Sequence, residues 1–201
     1  MFLLLAMVPF FLRFEQTRPQ ARRIVPLAIL SAIAAVGRIA FAFAPNFKPT
    51  TAVVMVAGFC FGPSAGFLTG AVTALASNFF FGQGAWTPWQ MAAWGMTGMI
   101  AGLFRGTRAV RSPLSLAALG ALASILYGVF MNLWHVVGFI RPLTGAAVLA
   151  AYAASLPFDL AHAGSTAVFL FALGRPWIAR IDRIRAKYGL DAQIDTPLHR
   201  D

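Results

Sequence analysis

Residues 49–104 read PTTAVVMVAGFCFGPSAGFLTGAVTALASNFFFGQGAWTPWQMAAWGMTGMIAGLF, with no Asp, Glu, Lys or Arg among them. One bilayer crossing takes about 20 apolar residues. An uncharged run of this length therefore holds more than one crossing and must turn back within itself. Its turn signals are Gly62-Pro63 and Gly82-Gln83-Gly84. Two further apolar runs follow, at residues 114–140 and 143–173, the second interrupted by Asp159 and His162. The whole chain agrees, with 59% hydrophobic and only 11% charged residues, where soluble domains carry about 25% charged. The bilayer is the natural solvent for such a chain.

Working outward, the apolar runs and breakers predict an all-α polytopic membrane bundle of six transmembrane helices. The spans fall at residues 22–43, 50–61, 64–81, 88–104, 113–139 and 144–173. An extra short apolar segment, residues 1–12, precedes them. It is too short to span and has its basic residues after it, unlike a cleavable signal peptide. It reads as the end of a longer helix or as an interfacial anchor. The organisation is thus an amino-terminal segment and basic flank (1–21), a transmembrane domain (22–175) and a basic tail (176–201).

Lys and Arg in short loops set orientation. With six crossings, the flank (Arg13, Arg18, Arg22, Arg23), the loop with Arg105, Arg108 and Arg111, and the tail share one side. The other side holds only Lys48 and Arg141. Both flanks are therefore expected in the cytoplasm of a cell-membrane protein. The short second span must cross, or the Arg105–Arg111 loop would fall outside. In the tail, Trp177, Ile178, Ile181 and Ile184 share a face, which reads as an amphipathic helix on the inner leaflet.

The net charge of +10 does not signal nucleic acid, because the basic residues flank apolar runs and lack a polar, aromatic-interleaved surface. Cys60 is the single cysteine, so no disulfide forms within the chain. His135 and His162 sit in different spans with no third ligand, so no metal site is expected. HExxH, GxSxG and Walker motifs are absent. No catalytic residues and no cofactor are expected, and the chain reads as a non-enzyme. Active transport would need ATPases from elsewhere, or an ion gradient.

Several polar groups sit where lipid should exclude them: Arg38, Asn78, Gln90, Asn132, His135, Asp159 and His162. Such residues usually face a cavity or a partner. Arg38 and Asp159 could pair, although their depths match only approximately. Asn78 and Asn132 suit interhelical hydrogen bonding. The topology places Asn46, Lys48, Gln83, Trp86, Trp89 and Gln90 at the outer end, beside Asn132, Trp134 and His135. Two Trp flanking Thr87-Pro88 beside two Gln fit a ligand pocket better than a simple interfacial belt.

Small residues recur at helical spacing, as Gly62, Gly66, Gly70 and Ala74 in span three and Gly98 and Gly102 in span four. Ala28 and Ala32, with Ser31 and Ala35, do the same in span one. These faces serve internal packing or docking to another membrane protein.

The segments at residues 43–51 (FAPNFKPTT), 61–70 (FGPSAGFLTG) and 77–91 (SNFFFGQGAWTPWQM) resemble the substrate-binding S components of energy-coupling factor (ECF) transporters. The resemblance covers roughly residues 22–175 and is nearest in style to cobalamin-type members. It implies six helices with both termini inside and a vitamin or micronutrient pocket at the outer side. The pocket would draw on the loops after helices one and three and on the outer halves of helices four to six. The expected substrate-binding set is Asn46, Lys48, Asn78, Gln83, Trp86, Trp89, Gln90, Asn132, His135 and Asp159. The resemblance further implies docking of Ala28 and Ala32 on a transmembrane coupling (T) component driven by two ABC ATPases. Two other readings stay open. One is a self-sufficient secondary transporter with Arg38, Asp159 and the histidines as a proton relay. The other is a structural membrane protein whose polar groups only join helices.

Overall fold

The computed structural model describes residues 21–190 together with residues 8, 9 and 12. The apolar segment at residues 1–12 therefore lies outside the described residues, apart from three helical positions, as does the end of the tail.

Helix α1 spans Ala21–Ala40, α2 Thr50–Phe61, α3 Pro63–Phe81, α4 Thr87–Leu103, α5 Pro113–Phe139 and α6 Gly145–Phe169. A π-helical turn, Leu170–Gly174, carries α6 without a break into α7, Arg175–Tyr188. A short 3-10 turn at Arg108–Val110 joins α4 to α5. No strand occurs among the described residues. By length and composition, α3, α5 and the continuous helix from α6 through α7 can each cross a membrane.

Pairing across the helices fixes their directions. Ser31 on α1 donates to the Thr69 carbonyl on α3, and Arg38 reaches Ser77 further along both helices, so α1 and α3 run parallel. Glycine contacts join Gly66 to Gly98 and Gly70 to Trp94, so α3 and α4 are antiparallel. Trp94 meets Tyr127 and Trp89 meets Phe130, which reverses α5 against α4. Ser124 donates to Thr166 while Asn132 reaches Asp159, which reverses α6 against α5. The α1–α2, α3–α4 and α5–α6 loops thus share one end. The basic loop and α7 occupy the other.

Gly62 makes the tightest turn. With φ +97° it takes a conformation that L side chains rarely adopt. It ends α2 by donating to the Gly58 carbonyl, and Pro63 starts α3 at a position needing no amide donor.

All twelve residues of α2 are buried. At about 1.5 Å per residue the helix is near 18 Å long, well short of a hydrocarbon core of about 30 Å. Protein surrounds it, so its ends meet polar partners rather than lipid. The outward faces of the longer helices are apolar instead, as at Leu126, Leu133, Leu149 and Leu160.

Glycines set the α2–α3–α4 spacing. A Cβ on Gly66 would collide with the Gly98 carbonyl, one on Gly70 with the Trp94 carbonyl, and one on Gly58 with Gly98. The glycine face of α3 therefore serves internal packing. On α1 the small residues divide. Ser31 and Ala35 are buried, while Ala28 and Ala32 are exposed. The four do not form one surface.

The amphipathic face of α7 meets protein as well as any membrane surface. Trp177, Ile178 and Ile181 pack against the core, and the Arg185 guanidinium lies 5.6 Å from the Phe61 ring centroid. Ile184 stays exposed.

Candidate functional site

Arg38 lies three residues from the start of the loop after α1, with only 9% of its surface accessible. A buried cation needs partners, because desolvation is costly. Its Nη1 donates to Ser77 Oγ and to Asn78 Oδ1, each at 2.7 Å. The guanidinium also stands 4.5 Å from the Phe81 ring centroid and 4.9 Å from that of Trp94. The expected pairing of Arg38 with Asp159 does not form. Asp159 instead accepts from Asn132 Nδ2 and Ser155 Oγ, both at 2.9 Å, in a separate cluster between α5 and α6. Residue depth alone suggested the pair, but the two side chains serve different helix contacts.

Asn78, fully buried, is the hub of the network. Its Nδ2 donates to Gln90 Oε1 at 2.8 Å and to Thr87 Oγ1 at 3.1 Å. Thr87 in turn donates to Gln83 Oε1 and accepts from the Gly84 amide. One asparagine thereby ties α1, α3 and the start of α4 together. Interhelical polar bonds in lipid are worth about 0.6–2 kcal/mol each, and orphaning a buried charged donor costs more. Asn78→Leu should destabilise the bundle by about 3 kcal/mol, read as a fall of roughly 6–12 °C in thermal unfolding in detergent. A melting point matching the wild type would remove this network from the account of stability.

Beside Arg38 the bundle opens into a cleft with a cavity volume of about 90 Å³. Asn46, Lys48 and Thr50 bound it from the α1–α2 side, Gln90 and Trp94 from α4, Tyr127 from α5 and His162 from α6. Asn46 has φ +55° and donates to the Phe158 carbonyl, which ties the loop to α6. Ser165 donates to the Lys48 carbonyl at 2.9 Å and fixes the loop from the same helix. Lys48 Nζ lies 5.0 Å from the Phe81 centroid. Burial, and then the neighbouring Arg38 charge, hold the Lys48 ammonium below its ordinary pKa.

Trp94 Nε1 donates to Thr51 Oγ1 at 3.0 Å, and that oxygen sits 2.7 Å from His162 Nε2. The Trp94 and Tyr127 centroids are 5.2 Å apart, and His162 meets Tyr127 edge-on at 4.9 Å. The cleft thus has an aromatic wall with polar atoms at its edges.

Of the sequence-derived residues, Asn46, Lys48 and Gln90 line the cleft, and Asn78 supports it through Arg38 and Gln90. Gln83 turns back to the Leu75 carbonyl and to Thr87, so it shapes the loop. Trp86 packs edge-to-face with Trp134, and Trp89 tilts against Phe130. His135 is exposed and stacks on Phe139, and Asn132 stays with Asp159. Sequence reasoning placed Thr50, Trp94 and Tyr127 in no site. The available signal was that Trp94 and Tyr127 sit in mid-span, away from the interfacial zone where such residues usually anchor.

An apolar helical bundle that encloses a polar cleft defines a membrane subunit for solute binding or transport. The chain belongs to the ECF transporter substrate-specific component family, whose model it matches over residues 22–174. That family is a transporter component rather than an enzyme, and it implies association with T and ATPase components. The chain is also similar to UPF0397 proteins of Vibrio atlanticus and Aliivibrio fischeri, each 34% identical over 89 residues. Those alignments cover 42% of the chain and 48% of each relative, so the chain spans about half the length of the curated relatives it matches. No solved structure matches it.

Proposed function

We propose that the protein captures a vitamin-like micronutrient at the extracellular side and delivers it inward with a T component and two ABC ATPases. The observation that carries this reading is the cleft beside Arg38, which opens at the end of the bundle away from the basic loop and tail. Its cavity volume of about 90 Å³ favours a compact ligand over a whole corrinoid. Residues 22–175 form the binding domain in this reading. Six crossings put the Arg105–Arg111 loop and both flanks in the cytoplasm, as the basic-residue asymmetry supports. Asn46, Lys48 and Gln90 would meet the ligand, with Asn78 behind them. Gln83, Trp86 and Trp89 would shape the mouth, and Asn132, His135 and Asp159 would act from the α5–α6 side.

The test is uptake in proteoliposomes. A panel of labelled vitamins is offered to the protein alone and to its complex with the T component and ATPases. Accumulation should need the complex and internal ATP. Uptake by the protein alone under a pH gradient, lost in Asp159→Asn, would instead establish the secondary-transporter reading.

A further inference from the structure

The cleft is unbalanced in charge. Arg38 and Lys48 both line it and stand against the same Phe81 ring. Among the described residues the only acidic groups are Asp159 and Asp182. Asp159 is held by Asn132 and Ser155, and Asp182 pairs with Arg185 at the opposite end, at 2.7 Å. Neither lines the cleft.

The cations also keep unused donors. Arg38 commits Nη1 to Ser77 and Asn78, while its Nε and Nη2 donate to no group among the described residues. Lys48 Nζ makes a ring contact and no hydrogen bond among the described residues. Two like charges in a poorly solvated pocket repel each other. A planar, two-oxygen acceptor would satisfy a guanidinium edge and an ammonium together. Trp94 and Tyr127 border the same cleft, so a ring attached to such an anion would have aromatic neighbours.

We infer that the ligand of this cleft carries a carboxylate or phosphate joined to a planar ring, with its anionic group held between Arg38 and Lys48. This rests on the reading of the cleft as the substrate site, and it adds the ligand's charge to that reading.

The test uses matched probes on the full chain in phosphatidylcholine nanodiscs, which present no net anionic headgroup. Thermal stability is titrated with benzoate, phenyl phosphate and, as the neutral counterpart, benzamide. Benzoate and phenyl phosphate should stabilise the protein at concentrations about tenfold lower than benzamide does. Lys48→Gln should erase that advantage while leaving the unliganded melting point near the wild-type value, since Lys48 is only half-buried. Arg38→Gln should erase it too, but Lys48→Gln decides the matter if Arg38→Gln fails to fold. Equal responses to benzoate and benzamide, or none to either, would overturn the inference. So would Lys48-dependent stabilisation by added phosphatidylglycerol with no response to the soluble anions, because the anion would then be a lipid headgroup. Either failure leaves ATP-driven uptake to stand or fall by its own experiment.

Discussion

Gly98→Leu should leave almost no folded, monodisperse protein after detergent extraction. Gly98 sits where three helices converge. A Cβ there would strike the Gly66 carbonyl on α3, and a Cβ on Gly58 of α2 would strike the Gly98 carbonyl in turn. These contacts are with backbone, which cannot rotate away as a flexible side chain can. Overpacking a core costs about 1–3 kcal/mol where side chains can adjust; here α3 and α4 must separate, so the loss should exceed about 3 kcal/mol. Separation would also pull Gly70 from Trp94, and Trp94 forms one wall of the cleft. Gly164→Ala is the control, since a Cβ there meets nothing within 4 Å. It should be neutral or slightly stabilising, because alanine is the better helix former by about 1 kcal/mol. The measurement is size-exclusion profile and melting temperature for both variants. A monodisperse Gly98→Leu protein with an unchanged melting point would mean that the α3–α4 seam is looser than described.

Ala28→Trp or Ala32→Trp should abolish copurification with the T component and leave the isolated protein folded. Both alanines are exposed on α1, with Ile29 and Ile33 beside them. A tryptophan there meets lipid in the free subunit and costs little. Against a partner helix it would hold the backbones apart, and small-residue contacts depend on that approach. The loss should be at least about 100-fold in affinity, equal to about 2.7 kcal/mol. Ser31→Trp gives the contrast. Ser31 is buried and donates to the Thr69 carbonyl, so its replacement should damage the fold itself. Retained copurification in both alanine variants, with normal melting points, would move the docking face off this side of α1.

Much of the fold was legible because lipid leaves the chain few options. The uncharged stretch had to turn back, and Gly62-Pro63 is where it does. The glycine comb of α3 and the Gly98 and Gly102 of α4 were each visible as spacing, but only the contacts between their backbones pair the two faces. Spacing could not say which side of α1 faced inward. Residues 28, 31, 32 and 35 are all small, and only contact with Thr69 and the neighbouring core separates Ser31 and Ala35 from the exposed pair. The cleft was legible in part for a similar reason. Asn46, Lys48 and Gln90 drew attention as polar groups near the outer ends of apolar runs. Trp94 and Tyr127 were placed in no site, since an aromatic residue reveals a polar role only once its hydrogen-bonding edge has a neighbour. Thr51 supplies that neighbour for Trp94, from a helix 43 positions earlier. Arg38 and Asp159 were matched by depth along the membrane, whereas their actual partners were set by rotation about each helix axis, which depth does not encode.

The enclosure of α2 has a practical consequence for following this protein at work. The chain's single cysteine, Cys60, lies on that helix with no accessible surface. Maleimide reagents applied to folded protein should pass it by, so the natural sequence already serves as an unreactive background. A cysteine introduced singly on the α1–α2 loop or on α7 would then carry the only reactive thiol. Its labelling from one side of a vesicle or the other would report which end of the bundle faces out, without first mutating the helix at its centre.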